Sequence, residues 1–184
     1  MGANNGKLSQ KKVKKLSKKT GFTTDEIATW YTGFISDCPS GELTKKEFSK
    51  VYAGFFPHGD SRAFSEFIFS AFDRNGDGSI EFSEFLEALA ITSKGNFEQK
   101  LEWAFNLYDL DGNGQISKNE MLQIISAVFA MVGTQAKVNM TAEEKVDQMF
   151  KGMDADGNEE ISKEEFFAGA RLDKTIVEAL GGII

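Results

Sequence analysis

A twelve-residue pattern that recurs along the chain constrains the fold more than any other feature of the sequence. Residues 73–84 and 109–120 both read Asp-x-Asp/Asn-x-Asp/Asn-Gly, then five residues, then Glu. Calcium takes six to eight oxygen ligands, which such a loop supplies from positions 1, 3, 5, 7, 9 and 12, with a backbone carbonyl at position 7. Glycine at position 6 permits the sharp turn around the ion. The two segments therefore predict two calcium sites.

A third copy of the pattern, residues 154–165, keeps the acids at positions 1, 3 and 12 but has Glu159 in place of the glycine. A left-handed backbone at a residue with a Cβ atom costs about 1–2 kcal/mol. We therefore expect a weaker calcium site here, and two or three calcium ions in all, with magnesium occupying sites at low calcium.

The earliest copy, residues 36–47, retains only the glycine and the final glutamate of the pattern. Ser36 and Cys38 replace two carboxylates, and Pro39 fixes a backbone torsion inside the loop. We expect no calcium at this loop. The predicted metal ligands are thus those of the other three loops: Asp73, Asn75, Asp77, Ser79, Glu81, Glu84, Asp109, Asp111, Asn113, Gln115, Ser117, Glu120, Asp154, Asp156, Asn158, Glu160, Ser162 and Glu165.

The spacing of the four loops predicts an all-α fold. Position 8 of each loop is Leu or Ile, which suits short antiparallel β-bridges that join the loops in pairs. The gaps leave room for a helix on each side of every loop, so we expect two lobes, each a pair of helix-loop-helix units. We place an N-terminal arm at residues 1–20, the lobes at 21–94 and 95–184, and a short final helix around residues 174–180. Capping signals mark three helix starts: Thr23 with Glu26, Asn96 with Gln99, and Thr141 with Glu144.

Composition narrows the chemistry that the chain can perform. With one cysteine and one histidine among 184 residues, it has no internal disulfide and no histidine- or cysteine-rich metal site. No nucleophile–base pair, phosphate-binding loop or open metal geometry is evident, so we expect no enzymatic activity. The longest apolar stretch is far short of the roughly 18 residues that span a bilayer, and the N-terminus does not resemble a secretory signal. We therefore expect a cytoplasmic protein.

Charge is distributed unevenly between the N-terminus and the rest of the chain. Residues 7–19 contain seven lysines and no acid, while the remainder carries a formal charge of −14. The acidic body would repel nucleic acid, whereas the basic arm is suited to an anionic membrane surface. A solvated arm with no membrane role is the alternative.

Aromatic residues are concentrated in the first half of the chain. Ten of the seventeen phenylalanines lie between Phe34 and Phe85. Several follow helical spacing, and each such stripe taken alone is typical of a core. Their number is more than one small lobe usually needs, which favours a surface for a partner. Four methionines of the second lobe, Met121, Met131, Met149 and Met153, are as consistent with a core as with an adaptable surface.

Several motifs together resemble the neuronal calcium sensor family, most closely its frequenin-type branch, over nearly the whole length. They are Met1-Gly2 followed by Lys7-Leu8, the Asp37-Cys38-Pro39-Ser40-Gly41 of the altered first loop, residues 55–60 (FFPHGD), residues 80–85 (IEFSEF), Trp103-Ala104-Phe105, residues 107–111 (LYDLD) and Ile176-Val177.

The resemblance implies a calcium-loaded EF-hand sensor, myristoylated at Gly2 and peripheral on the cytosolic face of membranes. Gly6 departs from the acylation pattern, which has Ser or Thr at that position. The family further implies a hydrophobic groove for amphipathic helices of targets such as phosphatidylinositol 4-kinase, receptor kinases or ion channels. The groove residues that it implies are Trp30, Phe34, Phe48, Val51, Tyr52, Phe55, Phe85 and Leu89.

These observations predict a calcium switch in which ion binding opens the lobes and exposes the groove. Two other functions remain open. A calcium buffer would bind ions with little newly exposed apolar surface. A constitutive regulatory subunit of an enzyme would hold its partner with or without calcium.

Overall fold

The computed structural model describes residues 8–56, 59–132 and 140–172. Within these ranges the chain forms nine helices and four three-residue strands. The helices are α1 Gln10–Thr20, α2 Thr24–Asp37, α3 Lys45–Phe55, α4 Arg62–Phe72, α5 Phe82–Lys94, α6 Phe97–Tyr108, α7 Lys118–Val132, α8 Ala142–Met153 and α9 Lys163–Leu172. The strands are β1 Glu42–Thr44, β2 Ser79–Glu81, β3 Gln115–Ser117 and β4 Glu160–Ser162. None of the helices in this part of the chain is long and apolar enough to cross a bilayer.

The helix starts predicted from capping signals are confirmed. At the start of α2, Glu26 N donates to Thr23 Oγ1 and Thr23 N donates to Glu26 Oε2, a reciprocal capping box. The same arrangement starts α6 at Asn96 with Gln99 and α8 at Thr141 with Glu144. Local side-chain hydrogen bonds to the first free amides therefore fix where these helices begin.

The short strands pair the loops in the predicted way. Leu43 of β1 lies opposite Ile80 of β2, and Ile116 of β3 lies opposite Ile161 of β4, both in antiparallel register. All four side chains are buried. The apolar residue at position 8 thus anchors each loop pair to the core of its lobe, and the first loop serves as the structural mate of the second.

The basic N-terminal segment forms a helix rather than an extended arm. Helix α1 begins at Ser9, whose Oγ accepts from Lys12 N, and ends at Gly21 with φ 71°. It packs against α2 and α5, and Leu16 on its inner face is buried. The sequence does not reveal this helix, because Val13 and Leu16 are the only apolar residues between Gln10 and Thr20.

The second lobe is filled by its methionines. Met121, Met131, Met149 and Met153 are all buried, as are second-lobe residues such as Leu101, Phe105 and Phe166. Their flexible side chains fill the core of this lobe in the structure.

The lobes meet where α4 of the first lobe packs against α6 and α7 of the second. Asp60 N donates to the Ala130 carbonyl at 2.8 Å. Gly59 approaches the same helix end so closely that a Cβ atom placed there would lie 1.8 Å from the Met131 carbonyl oxygen. Glycine at position 59 is therefore required by this backbone-to-backbone contact.

Candidate calcium sites and apolar pocket

The loop at residues 109–120 gathers its carboxylates around one point. Oxygen atoms of Asp109, Asp111 and Glu120 all lie within 4.8 Å of one another. Backbone amides hold each group in place: Gly114 N donates to Asp109 Oδ2, and Ser117 N donates to Glu120 Oε2. Three carboxylates held this close repel one another unless a cation lies between them. The geometry suits a hard divalent cation with oxygen ligands.

The loop at residues 154–165 has the same geometry despite its altered sixth position. Asp154, Asp156 and Glu165 again have oxygens within 4.8 Å of one another. Glu159 adopts φ 65°, the left-handed conformation that Gly78 and Gly114 adopt at φ 88° in the other two loops. Its amide donates to Asp154 Oδ2, as the glycine amides do to the first aspartate of their loops. The backbone strain therefore falls on Glu159, and the ligand set remains intact.

The loop at residues 73–84 combines carboxylates with an amide at position 3. Asp73 accepts from Gly76, Asp77 and Gly78 amides, and Asn75 Oδ1 accepts from Asp77 N at 2.8 Å. Glu84 is buried, with Oε2 accepting from Glu81 N and Oε1 from Asn75 N. Backbone amides thus hold these side chains as in the other two loops, but among the described residues a cluster of three carboxylates within 4.8 Å is found at residues 109–120 and 154–165 and not at residues 73–84.

Positions 7 and 9 of the three loops sit at the strands. Position 7 is the first residue of its strand in each loop, and position 9 is the last. At position 9, Ser117 and Ser162 donate their hydroxyls to the final glutamate of their own loops, whereas Glu81 accepts from Ser83. The predicted residues at these positions are Ser79, Glu81, Gln115, Ser117, Glu160 and Ser162.

The first loop is built differently. Helix α2 continues through Ser36 to Asp37, so that Cys38 is its C-cap, whereas the other three loops have the first aspartate at that place. The Cys38 side chain is buried in the lobe, and Glu47 accepts from Thr44 N and Oγ1. Two ligand positions therefore lie in a helix or the core, which supports the expectation that this loop binds no calcium.

Hydrogen bonds favour the ionised form of the final glutamates of the loops at residues 109–120 and 154–165. Burial opposes ionisation of Glu120, but hydrogen bonds from Ser117, Asp111 and Leu110 outweigh it and lower its pKa. The amide and hydroxyl of Ser162 lower the pKa of Glu165 in the same way. Both side chains are thus prepared as anionic ligands before any ion arrives.

An apolar pocket of about 570 Å³ opens in the first lobe. It is bounded by α2, α3, α4 and α5. Its walls include seven of the eight predicted groove residues: Trp30, Phe34, Phe48, Val51, Tyr52, Phe85 and Leu89. Trp30 is 41% exposed and Val51 54%, whereas Phe34, Phe48 and Tyr52 are buried, so the residues form a rim and a floor. The side chain of the eighth, Phe55, lies outside the described part of the structure.

Sequence reasoning missed half of the pocket wall. The residues that it did not predict are Gly33, Asp37, Cys38, Leu43, Phe56, Ile68 and Phe72. Ile68 and Phe72 lie four residues apart on α4, so helical periodicity could have identified them. The side-chain positions of Cys38 and Asp37 depend on where α2 ends, which the sequence does not show.

Four lysines of α1 form one outward face. Lys11, Lys14, Lys15 and Lys18 follow the i, i+3, i+4, i+7 spacing of a helix face and are exposed. They take no part in an ion pair with any described residue, whereas Lys19 pairs with Glu87 at 2.6 Å and Lys12 with Glu81 at 4.0 Å. Gly2, Lys7 and the predicted final helix lie outside the described residues.

Comparison with known proteins agrees with this architecture. A model described as an EF-hand domain pair matches residues 98–171, and an EF hand domain model matches residues 65–92. The chain is 45% identical to Neuronal calcium sensor 1 of Aplysia californica over 183 residues, which is 98% of this chain and 96% of that protein. Neuronal calcium sensor 1 of Lymnaea stagnalis is similar to the same extent. Human recoverin is 38% identical over 127 residues, or 69% of this chain and 64% of recoverin. With its paired loops and this full-length similarity, the chain belongs to the neuronal calcium sensor family of EF-hand proteins.

Proposed function

We propose that the protein is a calcium sensor whose loops at residues 73–84, 109–120 and 154–165 bind the ion and whose first-lobe pocket then receives an amphipathic helix of a target protein. The observation that carries this proposal is the direct connection between one loop and the pocket. Glu84 ends the loop, and Phe85 and Leu89 on the same helix, α5, line the pocket. Any movement of α5 that brings Glu84 to the ion also moves the pocket wall.

Electrostatics provides the driving force of the switch. Without cations the carboxylates of each loop repel one another. Three bound ions would bring the formal net charge of the chain from −7 to −1. Bidentate capture by the final glutamate pulls the exiting helix, as in sensor EF-hands that open on binding calcium. We expect affinities of about 0.1–10 μM for the loops at 73–84 and 109–120, the range of calcium sensors.

A dye titration tests the switch. A hydrophobic dye is added to the purified full chain with millimolar magnesium present, and calcium is raised. Fluorescence should increase at micromolar calcium in the wild type and in Glu47→Gln, which alters position 12 of the first loop. It should increase much less in Glu84→Gln. A flat wild-type response despite bound calcium would favour the buffer, and a partner held equally well in chelator would favour the constitutive subunit.

We propose further that the exposed lysine face of α1 rests on an anionic membrane while an acyl chain on Gly2 inserts. A single myristoyl chain binds a bilayer only marginally, so a second signal is needed. Basic residues close to an anionic leaflet contribute about 1 kcal/mol each. Four exposed lysines on one face, none of which pairs with a residue in the described part of the chain, meet that requirement.

Vesicle sedimentation tests the membrane proposal with and without acylation. Replacing Lys11, Lys14, Lys15 and Lys18 by Gln should reduce binding to vesicles containing phosphatidylserine by at least about 100-fold. Replacement of Lys45, Lys46, Lys50 and Lys100, which lie elsewhere on the surface, serves as the charge-matched control. Equal loss in both variants would mean that net charge alone governs binding and that α1 has no special role.

A further inference from the structure

The apolar pocket has one charged residue in its wall. Of the described residues that line it, only Asp37 is ionisable to a charged form at neutral pH; the others are apolar, aromatic, glycine or the buried Cys38. Asp37 is exposed and has no ion-pair partner among the described residues. Its charge is therefore free to interact with whatever occupies the pocket.

The position of Asp37 makes that end of the pocket strongly negative. It is the last residue of α2, where the helix dipole places partial negative charge. No basic residue lies in the last turn of α2 to offset this charge. A carboxylate at a helix C-terminus does not stabilise the helix, so the charge of Asp37 adds to the negative potential at this end.

The same charges act on the neighbouring Cys38 thiol. The pKa of the Cys38 thiol is raised by burial and, in addition, by the charges of Glu47 and Asp37. Glu47 itself remains an anion, because hydrogen bonds from the Thr44 hydroxyl and amide lower its pKa. Two carboxylates and a helix C-terminus thus act together at this end.

We infer that the pocket selects an amphipathic helix that carries a lysine or arginine beside its apolar anchors, placed so that the cation meets Asp37 and the C-terminus of α2. This inference rests on the proposed function and specifies the partner's chemistry. The apolar wall supplies affinity for any apolar helix face, and the single negative end supplies orientation and register. A partner lacking the cation leaves the exposed Asp37 solvated and unpaired, so this partner gains no electrostatic attraction at this end of the pocket.

A peptide series tests the inference on the full, calcium-loaded chain. The parent is a designed amphipathic peptide of about 18 residues, or five helical turns, with a Leu/Phe stripe and a neutral polar face of Gln. Each of three derivatives carries a single Arg beside the stripe: one at the N-terminal end, one in the middle and one at the C-terminal end. In one derivative the Arg should lie beside Asp37 and the C-terminus of α2. Because an exposed ion pair and a helix dipole each contribute modestly, we expect that derivative to bind about 3–10-fold more tightly than the parent.

Variants of the protein assign the effect to Asp37. The gain should disappear in Asp37→Asn and reverse in Asp37→Lys, which should prefer a peptide with Glu at that place. Asp25→Asn, in the first turn of the same helix and outside the pocket wall, is the matched control and should retain the gain. Raising salt should reduce the gain, because the pair is solvent-exposed.

The possible results separate this inference from the proposed function. If no peptide binds the calcium-loaded chain, both are overturned. If the parent binds but Arg adds nothing, or if the gain persists in Asp37→Asn, the pocket binds helices without this selection and the inference alone fails. If peptide binding competes with a concentration-dependent dimer in sedimentation, the natural occupant is a second copy of the chain, which also overturns it.

Discussion

The two lobes share one architecture and differ in what fills them. In the second lobe both loops gather three carboxylates, and flexible methionines fill the space between the helices. In the first lobe only one loop of the pair keeps a ligand set, and stacked rings such as Phe48 and Tyr52 surround an open apolar pocket. Aromatic rings such as Phe105 and Phe166 also pack in the second lobe, so the buried methionines are what its core adds. The comparison suggests a division between a lobe for binding ions and a lobe for binding a partner.

The largest expected effect tests whether the second lobe is a closed core. Met121 is fully buried, so Met121→Ala should lower the free energy of unfolding by about 2–5 kcal/mol. Val51 on the pocket rim is more than half exposed. Val51→Ala should therefore change the free energy of unfolding by less than about 0.5 kcal/mol. Denaturant unfolding of the calcium-loaded protein measures both values. Similar losses in the two variants would contradict the distinction between core and rim.

The next effect compares the final glutamates of a functional and an altered loop. Glu120→Gln removes a charged bidentate ligand and should weaken calcium binding at that loop by at least about 100-fold. Glu47→Gln changes the same position of the first loop and should leave both the number of bound ions and their affinities unchanged. Isothermal titration calorimetry distinguishes the two, and a lost ion in Glu47→Gln would show that the first loop binds calcium after all.

A smaller effect concerns position 6. Glu159→Gly should tighten calcium at the last loop by about 5–30-fold, since it removes a strain of about 1–2 kcal/mol. The reciprocal change Gly114→Glu should weaken the neighbouring loop by a similar factor. Competition with a fluorescent chelator measures these affinities. Unchanged calcium affinity in both variants would mean that a left-handed backbone at a glutamate in position 6 does not weaken calcium binding.

The smallest effect is a pH dependence that separates the two kinds of loop. Hydrogen bonds in the folded chain lower the pKa of both Glu47 and Glu120 below 4.5. Their contribution to stability is therefore present above that pH and is lost as pH falls through the lowered values. Carboxyl NMR should show calcium lowering the pKa of Glu120 further while leaving that of Glu47 unchanged. A calcium-dependent shift at Glu47 would contradict the difference between the loops.

Features that depend on neighbouring residues were readable from the sequence. The three capping boxes and the Leu43–Ile80 and Ile116–Ile161 pairs follow from short spacings with a local physical cause, whereas the assignment of the loop residues as metal ligands stays a prediction.

Features that depend on tertiary packing were not readable. Helix α1 has too narrow an apolar side to be recognised among its lysines, and its burial comes from α5. The end of α2 at Asp37, which places a charge in the pocket wall, results from the helix running two residues into the loop frame. Whether methionines form a core or a surface also depends on partners that only the fold supplies.

The contact between Gly59–Asp60 and the end of α7 limits how this protein can evolve. A carbonyl in the last turn of a helix lacks a partner within that helix, and here the amide of Asp60, from the other lobe, provides it. The two halves of the chain are therefore not interchangeable modules. Recombination that replaced one half with that of a relative would have to preserve glycine at position 59 and the matching helix end, or lose the hydrogen bond from Asp60 N to the Ala130 carbonyl.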